Sequence, residues 1–498
     1  MLPYRGIPSR KQRQRWLAPF LGVTTLLLLL LVRSPASAAT PKHYTELEFP
    51  PLPEIQVPQY ARYQLDNGAV VFLLQDRELP LVQGKAFFHT GKRWEPEEKT
   101  GLASLMGEVM RSGGTQQHSA AELNQLLEQK AAAVETSVTR TYGKATFNAL
   151  SEDMELVMSL FAEVLQEPVF DREKLEIAKT QRRGQISRRN DDPSDIASRE
   201  FRKLVYGDRS PYARTTEYTT VNNITRANLV DFYQQYIHPN NMVLGIVGDF
   251  DMAKMRALVE ETFADWQPKP DLDVPPLPEV EQARPSGVFT VNRPQLTQSY
   301  VRLGHLGGTI DSPDFPALSV LNQVLNGFGG RLFDQIRSQQ GLAYSVYGVW
   351  RPTYDYPGYF LAGGQTQSQT TVPFIKSIVR EIERVRNEPI TKSELNQATE
   401  STLNSFVFNF DRPEQILSRL MRYEYYGYPE DFIFQYREAV ENTTIEQVQQ
   451  AAQKYLHPDR FVTLVVGNTD AIEPSLTSLG ENVQVESLDI SIPEPQKS

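Results

Sequence analysis

An α+β fold built from two homologous domains is predicted by three features of the 498-residue sequence. The first is an internal repeat. Residues 225–251 (TRANLVDFYQQYIHPNNMVLGIVGDFD) match residues 444–470 (TIEQVQQAAQKYLHPDRFVTLVVGNTD) without a gap, so that Tyr236 meets Tyr455, His238-Pro239 meets His457-Pro458 and Gly248 meets Gly467, always 219 positions apart. A repeat of this length signals a duplicated structural unit. The second is the proline-rich stretch 269–287 (KPDLDVPPLPEVEQARPSG), which lacks periodicity and reads as a linker between the copies. The third is that strand-like and helix-like segments arrive in blocks rather than in strict alternation, which argues for mostly antiparallel sheets packed with helices. The expected domains are 45–268 and 288–475, with a tail over 476–498.

Taken in order, the chain opens with a basic region (Arg5, Arg10, Lys11, Arg13, Arg15), an apolar run over 16–32 and the small residues Ala36-Ser37-Ala38. That order reads as a signal peptide over 1–38 and predicts export to the periplasm or outside, with a membrane anchor as the alternative if the segment stays uncleaved. Strands are expected over 63–75 and 81–89. Residues 151–166 should form an amphipathic helix, with Leu156, Val157, Leu160, Phe161, Val164 and Leu165 on its apolar face. In each repeat a Thr opens a helix that breaks at His-Pro and leads into an apolar strand, so His238 and His457 read as helix-end caps. In the second domain a helix over 372–386 is followed by one opened by the capping box Thr391…Glu394.

Composition narrows the function classes. There is no cysteine, which excludes disulfides, thiolate metal sites and a cysteine nucleophile. Without residues 1–38 the chain carries 45 basic and 61 acidic residues, a net charge of −16, and has no evident attraction to nucleic acid or anionic lipid.

The stretch 328–346 (FGGRLFDQIRSQQGLAYSV) holds the most suggestive chemistry. Gly327, Gly329 and Gly330 break the chain and let backbone approach a substrate. A short segment with Leu332, Phe333 and Ile336 on its apolar side follows, Gly341 ends it, and a strand begins near Leu342. Arg337 and Tyr344 are then brought close by a tight turn and aimed at one cavity, where a guanidinium fork and a phenol suit a peptide carbonyl or the oxyanion it becomes.

With its duplicated layout, its opening LDNGAVVFLLQD, and the phrases GLASLMGEVMRSGGT, YIHPNNMVLGIVGDFD and RLFDQIRSQQGLAYSV, the chain resembles the pitrilysin/insulinase-type (inverzincin) metallopeptidases, in particular the two-domain processing-peptidase branch. The resemblance implies a helix bearing His-x-x-Glu-His, whose histidines bind zinc and whose Glu activates the bound water, with a further Glu about 75 residues on. Here those positions hold Ser104, Gly107 and Glu108, one extra residue precedes Gly114-Thr115, and Gly184 and Gln185 stand where the last ligand is expected. No metal is therefore expected in this chain.

The family's other machinery, an Arg and a Tyr spaced like Arg337 and Tyr344, is present. In two-subunit members, the resemblance implies, one chain brings the zinc and the other can bring this pair. The resemblance thus implies a zinc-free subunit of a heterodimeric peptidase, with zinc and general base in a homologous partner and a peptide as substrate. Its alternative is a structural or peptide-binding scaffold of the same family.

Overall fold

The computed structural model describes residues 57–492, apart from residues 328 and 411. The expected signal segment, residues 1–38, lies outside the described residues. Among those described, no helix is long and apolar enough to cross a membrane.

The first half begins with the strands β1 (Tyr60–Gln64), β2 (Val70–Gln75) and β3 (Leu81–Phe88). The helices α1 (Leu102–Ser112) and α2 (Ala120–Gln129) lead to β4 (Ala133–Val138) and β5 (Gly143–Leu150). Then come α3 (Met154–Gln166), α4 (Arg172–Ser187), α5 (Pro193–Tyr206), α6 (Tyr218–Asn222) and α7 (Arg226–Tyr236), followed by β6 (Met242–Gly248) and α8 (Met252–Phe263). The second half repeats this plan with β7 (Gly287–Asn292), β8 (Gln298–Leu306), α9 (Phe315–Asn326), a π-helical turn (Phe333–Gln339), β9 (Ala343–Arg351) and β10 (Tyr359–Gln367). It continues through α10 (Thr371–Asn387), α11 (Lys392–Val407), α12 (Pro413–Tyr426), α13 (Phe432–Glu441), α14 (Ile445–Tyr455), β11 (Val462–Gly467) and β12 (Val485–Ser487).

The two sheets run β1-β2-β6-β3-β5-β4 and β12-β7-β11-β8-β10-β9, the same order for five strands, with the sixth place taken by the antiparallel N-terminal β1 in one and the parallel C-terminal β12 in the other. Only β2–β6, β7–β11 and β7–β12 pair in parallel, so both sheets are mostly antiparallel. The α+β reading with duplicated domains holds. Each sheet buries one face in its own core, Val82, Ala86 and Ala145 with α1 and α3 in the first half, Val301, Leu303 and Ala362 with α9 and α10 in the second.

The opposite faces are covered by exchange. Phe201, Leu204 and Val205 of α5 pack on Leu361 and Leu464 of the second sheet, while Ile416, Leu417 and Met421 of α12 pack on Phe72, Phe87 and Val243 of the first. The buried ion pair Arg93–Asp355 (2.7 Å) and the Tyr425 hydroxyl, which donates to the Thr141 carbonyl (2.7 Å), tie the same seam.

Local expectations hold with instructive exceptions. Residues 63–75 do not form one strand, because the Asn67-Gly68 turn, with Gly68 at φ +92°, folds β1 back on β2. In α3 the apolar stripe is right except for Leu156, which is 37% exposed. Phe333 also lies outside the core, at 38% exposure, while Leu332 and Ile336 are buried. Residues 476–498 are not simply a tail, since β12 adds to β7 as an edge strand. His238 caps α7 as expected, its ring donating to the Gln234 carbonyl at 2.6 Å, and Thr391 and Glu394 form their capping box.

Candidate functional site

Two corners of the molecule carry the candidate residues, each at the free edge of one sheet. In the first, α1 lies against the edge strand β4. A Cβ built on Gly107 would stand 2.8 Å from the Val138 amide nitrogen and 2.9 Å from the Ser137 carbonyl carbon, so no larger residue fits while helix and strand keep this approach. The Thr136 hydroxyl donates to the Gly107 carbonyl at 2.5 Å and pins the contact. Ser104 and Glu108 flank Gly107 on the same helix, and Gln185 comes to them on α4.

Two of the four degenerate positions, Glu108 and Gln185, meet at Arg182. Its guanidinium donates to the Glu108 carboxylate at 3.2 Å and to the Gln185 side-chain oxygen at 2.8 Å. A fixed cation of the protein bridges the one carboxylate and the one amide of this corner, a pair without imidazole that does not fit zinc. Among the described residues no group of three or more His, Asp or Glu is placed to hold a metal. Arg182 escaped the sequence reading although its separation from Glu108, 74 positions, is close to the family's ligand distance. Glu95 was missed too. It is buried and caps α1, accepting from the Gly101 and Ala103 amides at 3.0 and 2.9 Å, and burial raises its carboxyl despite those two bonds.

The second corner is open. Gly327, Gly329 (φ +79°) and Gly330 form the turn after α9, and with Gln323, Arg331 and Glu394 they border a cavity of about 320 Å³. Arg331 makes a two-pronged ion pair with Glu394 at 2.7 and 3.1 Å. Burial alone would raise the Glu394 carboxyl, but Arg331 and the Thr391 amide outweigh it and hold it at about 2. The π-helical turn then presents Arg337, whose guanidinium carbon lies 4.9 Å from the Phe333 ring centre and 5.7 Å from that of Tyr344.

Tyr344 owes its position to a β-bulge. Gln365 pairs with Ser345 and Thr366 with Ala343, which leaves Tyr344 as the extra residue of the edge strand, 74% exposed. Arg337 and Tyr344 are therefore neighbours on one face, as expected, but both are exposed and face outward, and neither lines the cavity beside the glycine turn. A wider cleft of about 1030 Å³, walled by β7, β12 and α10, holds none of the candidate residues.

Fold and corners define a peptidase-type two-domain chain whose metal corner is closed by an ion pair and whose second corner stays open. Residues 71–219 match the family model "Insulinase (Peptidase family M16)" and residues 223–401 the model "Peptidase M16 inactive domain". The chain belongs to the M16 (insulinase) family, as a member without the zinc motif. Among curated relatives it is 24% identical over 362 residues to the "Uncharacterized zinc protease YmxG" of Bacillus subtilis, covering 72% of this chain and 86% of that protein. It is also 24% identical over 413 residues to the "Non-peptidase homolog YmxG" of Helicobacter pylori, covering 81% and 91%. Among solved structures, a peptidase M16 inactive domain from Pseudomonas fluorescens superimposes with a TM-score of 0.73 at 26% identity, covering 83% of this chain and all of that one.

Proposed function

We propose that this chain is the zinc-free subunit of an exported heterodimeric peptidase, and that Arg337 and Tyr344 grip the scissile carbonyl in a zinc site carried by a homologous partner. The observation that carries this reading is the pairing of two backbone irregularities. A π-helical turn holds Arg337 and a β-bulge turns Tyr344 outward beside it, and both devices are commonly kept where a side chain must be re-aimed at a functional site. Their outward orientation suits donors that act across an interface. The glycine turn beside them leaves room for an extended substrate backbone.

The chemistry asked of the pair is charge stabilisation. As a carbonyl becomes tetrahedral, its oxygen gains negative charge, which a guanidinium and a phenol O–H meet without giving up a proton. Purifying the chain from its native source and identifying what co-elutes tests the partner. A co-eluting subunit with His-x-x-Glu-His that cleaves peptides only when mixed with this chain is the expected result. If such mixing leaves the partner's activity unchanged, the reading fails.

A peptide-holding scaffold without cleavage is the second reading. It is favoured by the free edges of β4 and β9, each offering unpaired backbone groups for strand addition.

A further inference from the structure

We infer that the seam between the two halves carries a binding site for an acidic peptide segment, formed by Lys92, Arg140, Arg202 and Arg302 with Tyr356 and Tyr359. The four cations come from four separate elements. Lys92 and Arg140 lie on adjoining turns, the Lys92 amide donating to Thr139 at 2.9 Å and the Arg93 amide to the Arg140 carbonyl at 3.3 Å. Arg202 stands on α5 beside Phe201, whose ring packs 5.7 Å from Tyr359, and one turn before Tyr206, 6.2 Å from Tyr356. Arg302 on β8 is opposite Gly363 of β10 and shares the sheet face of Tyr300, Tyr359 and Leu361, the face that α5 covers.

Their charges reach one another. Burial first, then Arg140 and, more weakly, Arg302 lower the proton affinity of Arg202 against the opposing pull of Tyr359 and Tyr356. Burial, then Arg182, Arg140 and Arg202, do the same to Lys92 against the pull of Glu95.

What sets the cluster apart is the missing counter-charge. Arg93 next door is neutralised by Asp355 at 2.7 Å. Among the described residues Lys92, Arg140, Arg202 and Arg302 have no ion pair, the Arg202 Nε is buried without an acceptor, and Glu95 is committed to two backbone amides. All four side chains are half-buried, so each is partly desolvated yet still reachable. Like charges held together in this way destabilise the free protein. A ligand carrying carboxylates relieves that cost, and phenols can donate to the same oxygens. The protein as a whole has a net charge of −10, so this is a local feature and not general basicity.

A peptide is the class that fits, because Arg140 sits in the turn that ends the edge strand β4, and a chain laid along that edge runs into the cluster. For the class of ligand this rests on the peptide-handling reading above, but it requires no bond cleavage.

The test uses the full chain without any partner, so its outcome is separate from that of the Arg337 and Tyr344 variants. Fluorescence anisotropy would compare a labelled peptide of about ten residues containing four consecutive Glu with its Gln counterpart. Tighter binding of the Glu peptide by about tenfold or more is expected, with the preference collapsing near 0.5 M salt. Arg202→Gln and Arg302→Gln should each weaken the Glu peptide about tenfold while leaving the melting temperature unchanged or higher, since each removes a repelled charge. Arg302→Lys keeps the charge and should keep the preference. Equal affinity for the two peptides overturns the inference. So do Gln variants that bind like the parent, or a polyphosphate of equal charge that binds where the Glu peptide does not. A fall in melting temperature in both Gln variants, with the preference also lost in Arg302→Lys, would assign these residues to structure instead.

Discussion

The edge corner of the first sheet and that of the second descend from one repeated plan, yet they have gone opposite ways. At the first, α1 is regular, Gly107 is pressed on β4, and Arg182 joins Glu108 and Gln185 in a closed hydrogen-bonded set. At the second, the element in the place of the regular α2 is a π-helical turn, the edge strand bulges, and Arg337 and Tyr344 stand side by side in solvent. A corner without metal ligands is free to pack tightly. On the proposed function, the second corner presents donors, and its irregular backbone aims those side chains where regular helix and strand would not.

The largest effect expected from this contrast lies at the open corner. Arg337→Ala or Tyr344→Phe, assayed in the complex with a zinc-bearing partner, should cut turnover about 10²–10³-fold with the zinc content unchanged. Near-normal turnover in both would erase the functional difference between the corners. Next comes acid sensitivity, which should fall on both halves, because burial lowers His89 in the first half and His305 in the second to about 4. His305 is buried there, its Nδ1 donating to the Leu306 carbonyl at 2.7 Å and its Nε2 accepting the His457 amide at 3.0 Å, an arrangement only the neutral ring can make. Burial lowers it to about 4 from 6.5. The unfolded chain therefore takes up the proton first, so stability is complete above pH 6.5 and falls as pH drops towards 4, by at most about 3 kcal/mol. Glu394 adds a second window, its contribution present above pH 4.5 and lost as pH falls towards 2. Hydrogen exchange between pH 7 and 4 should show β3 and β8, beside His89 and His305, loosening together, and loosening confined to one half would contradict the assignment.

At the closed corner the effects are smaller. Gly107→Ala should cost about 1–3 kcal/mol through overpacking against β4, read by denaturant titration. An unchanged midpoint would mean that helix and strand can part. The same crowding predicts that Ser104→His, Gly107→Glu and Glu108→His combined will not create a tight zinc site, which metal analysis of the purified variant checks. Smallest of all, Glu108→Gln should change stability by less than about 1 kcal/mol, because its ion pair with Arg182 is partly exposed.

Much of this was legible in the residue order. The Thr-opened helices, the His-Pro breaks and the α3 stripe follow from periodicity and cap chemistry acting within a few residues. The Asn67-Gly68 turn was equally local and shows that an apolar stretch can hide a hairpin. Leu156 and Phe333 were misplaced because hydrophobicity alone does not say which way a residue faces. The candidate pair was readable as a spacing, and its outward presentation was not, since a bulge arises from pairing with Gln365 and Thr366 on another strand.

By itself the amino-acid sequence determined the duplication, the α+β class, the absence of zinc ligands at 104, 107, 108 and 185, and the presence of Arg337 and Tyr344. Each of these is a matter of residue identity at a fixed spacing. Tertiary structure alone decided that α5 and α12 cross to each other's sheets, that Arg182 pairs with Glu108 at the degenerate corner, and that Lys92, Arg140, Arg202 and Arg302 lie at the seam without ion-pair partners among the described residues. Those are encounters between residues tens to hundreds of positions apart, set by how two sheets bury their faces against exchanged helices, and no local pattern encodes them.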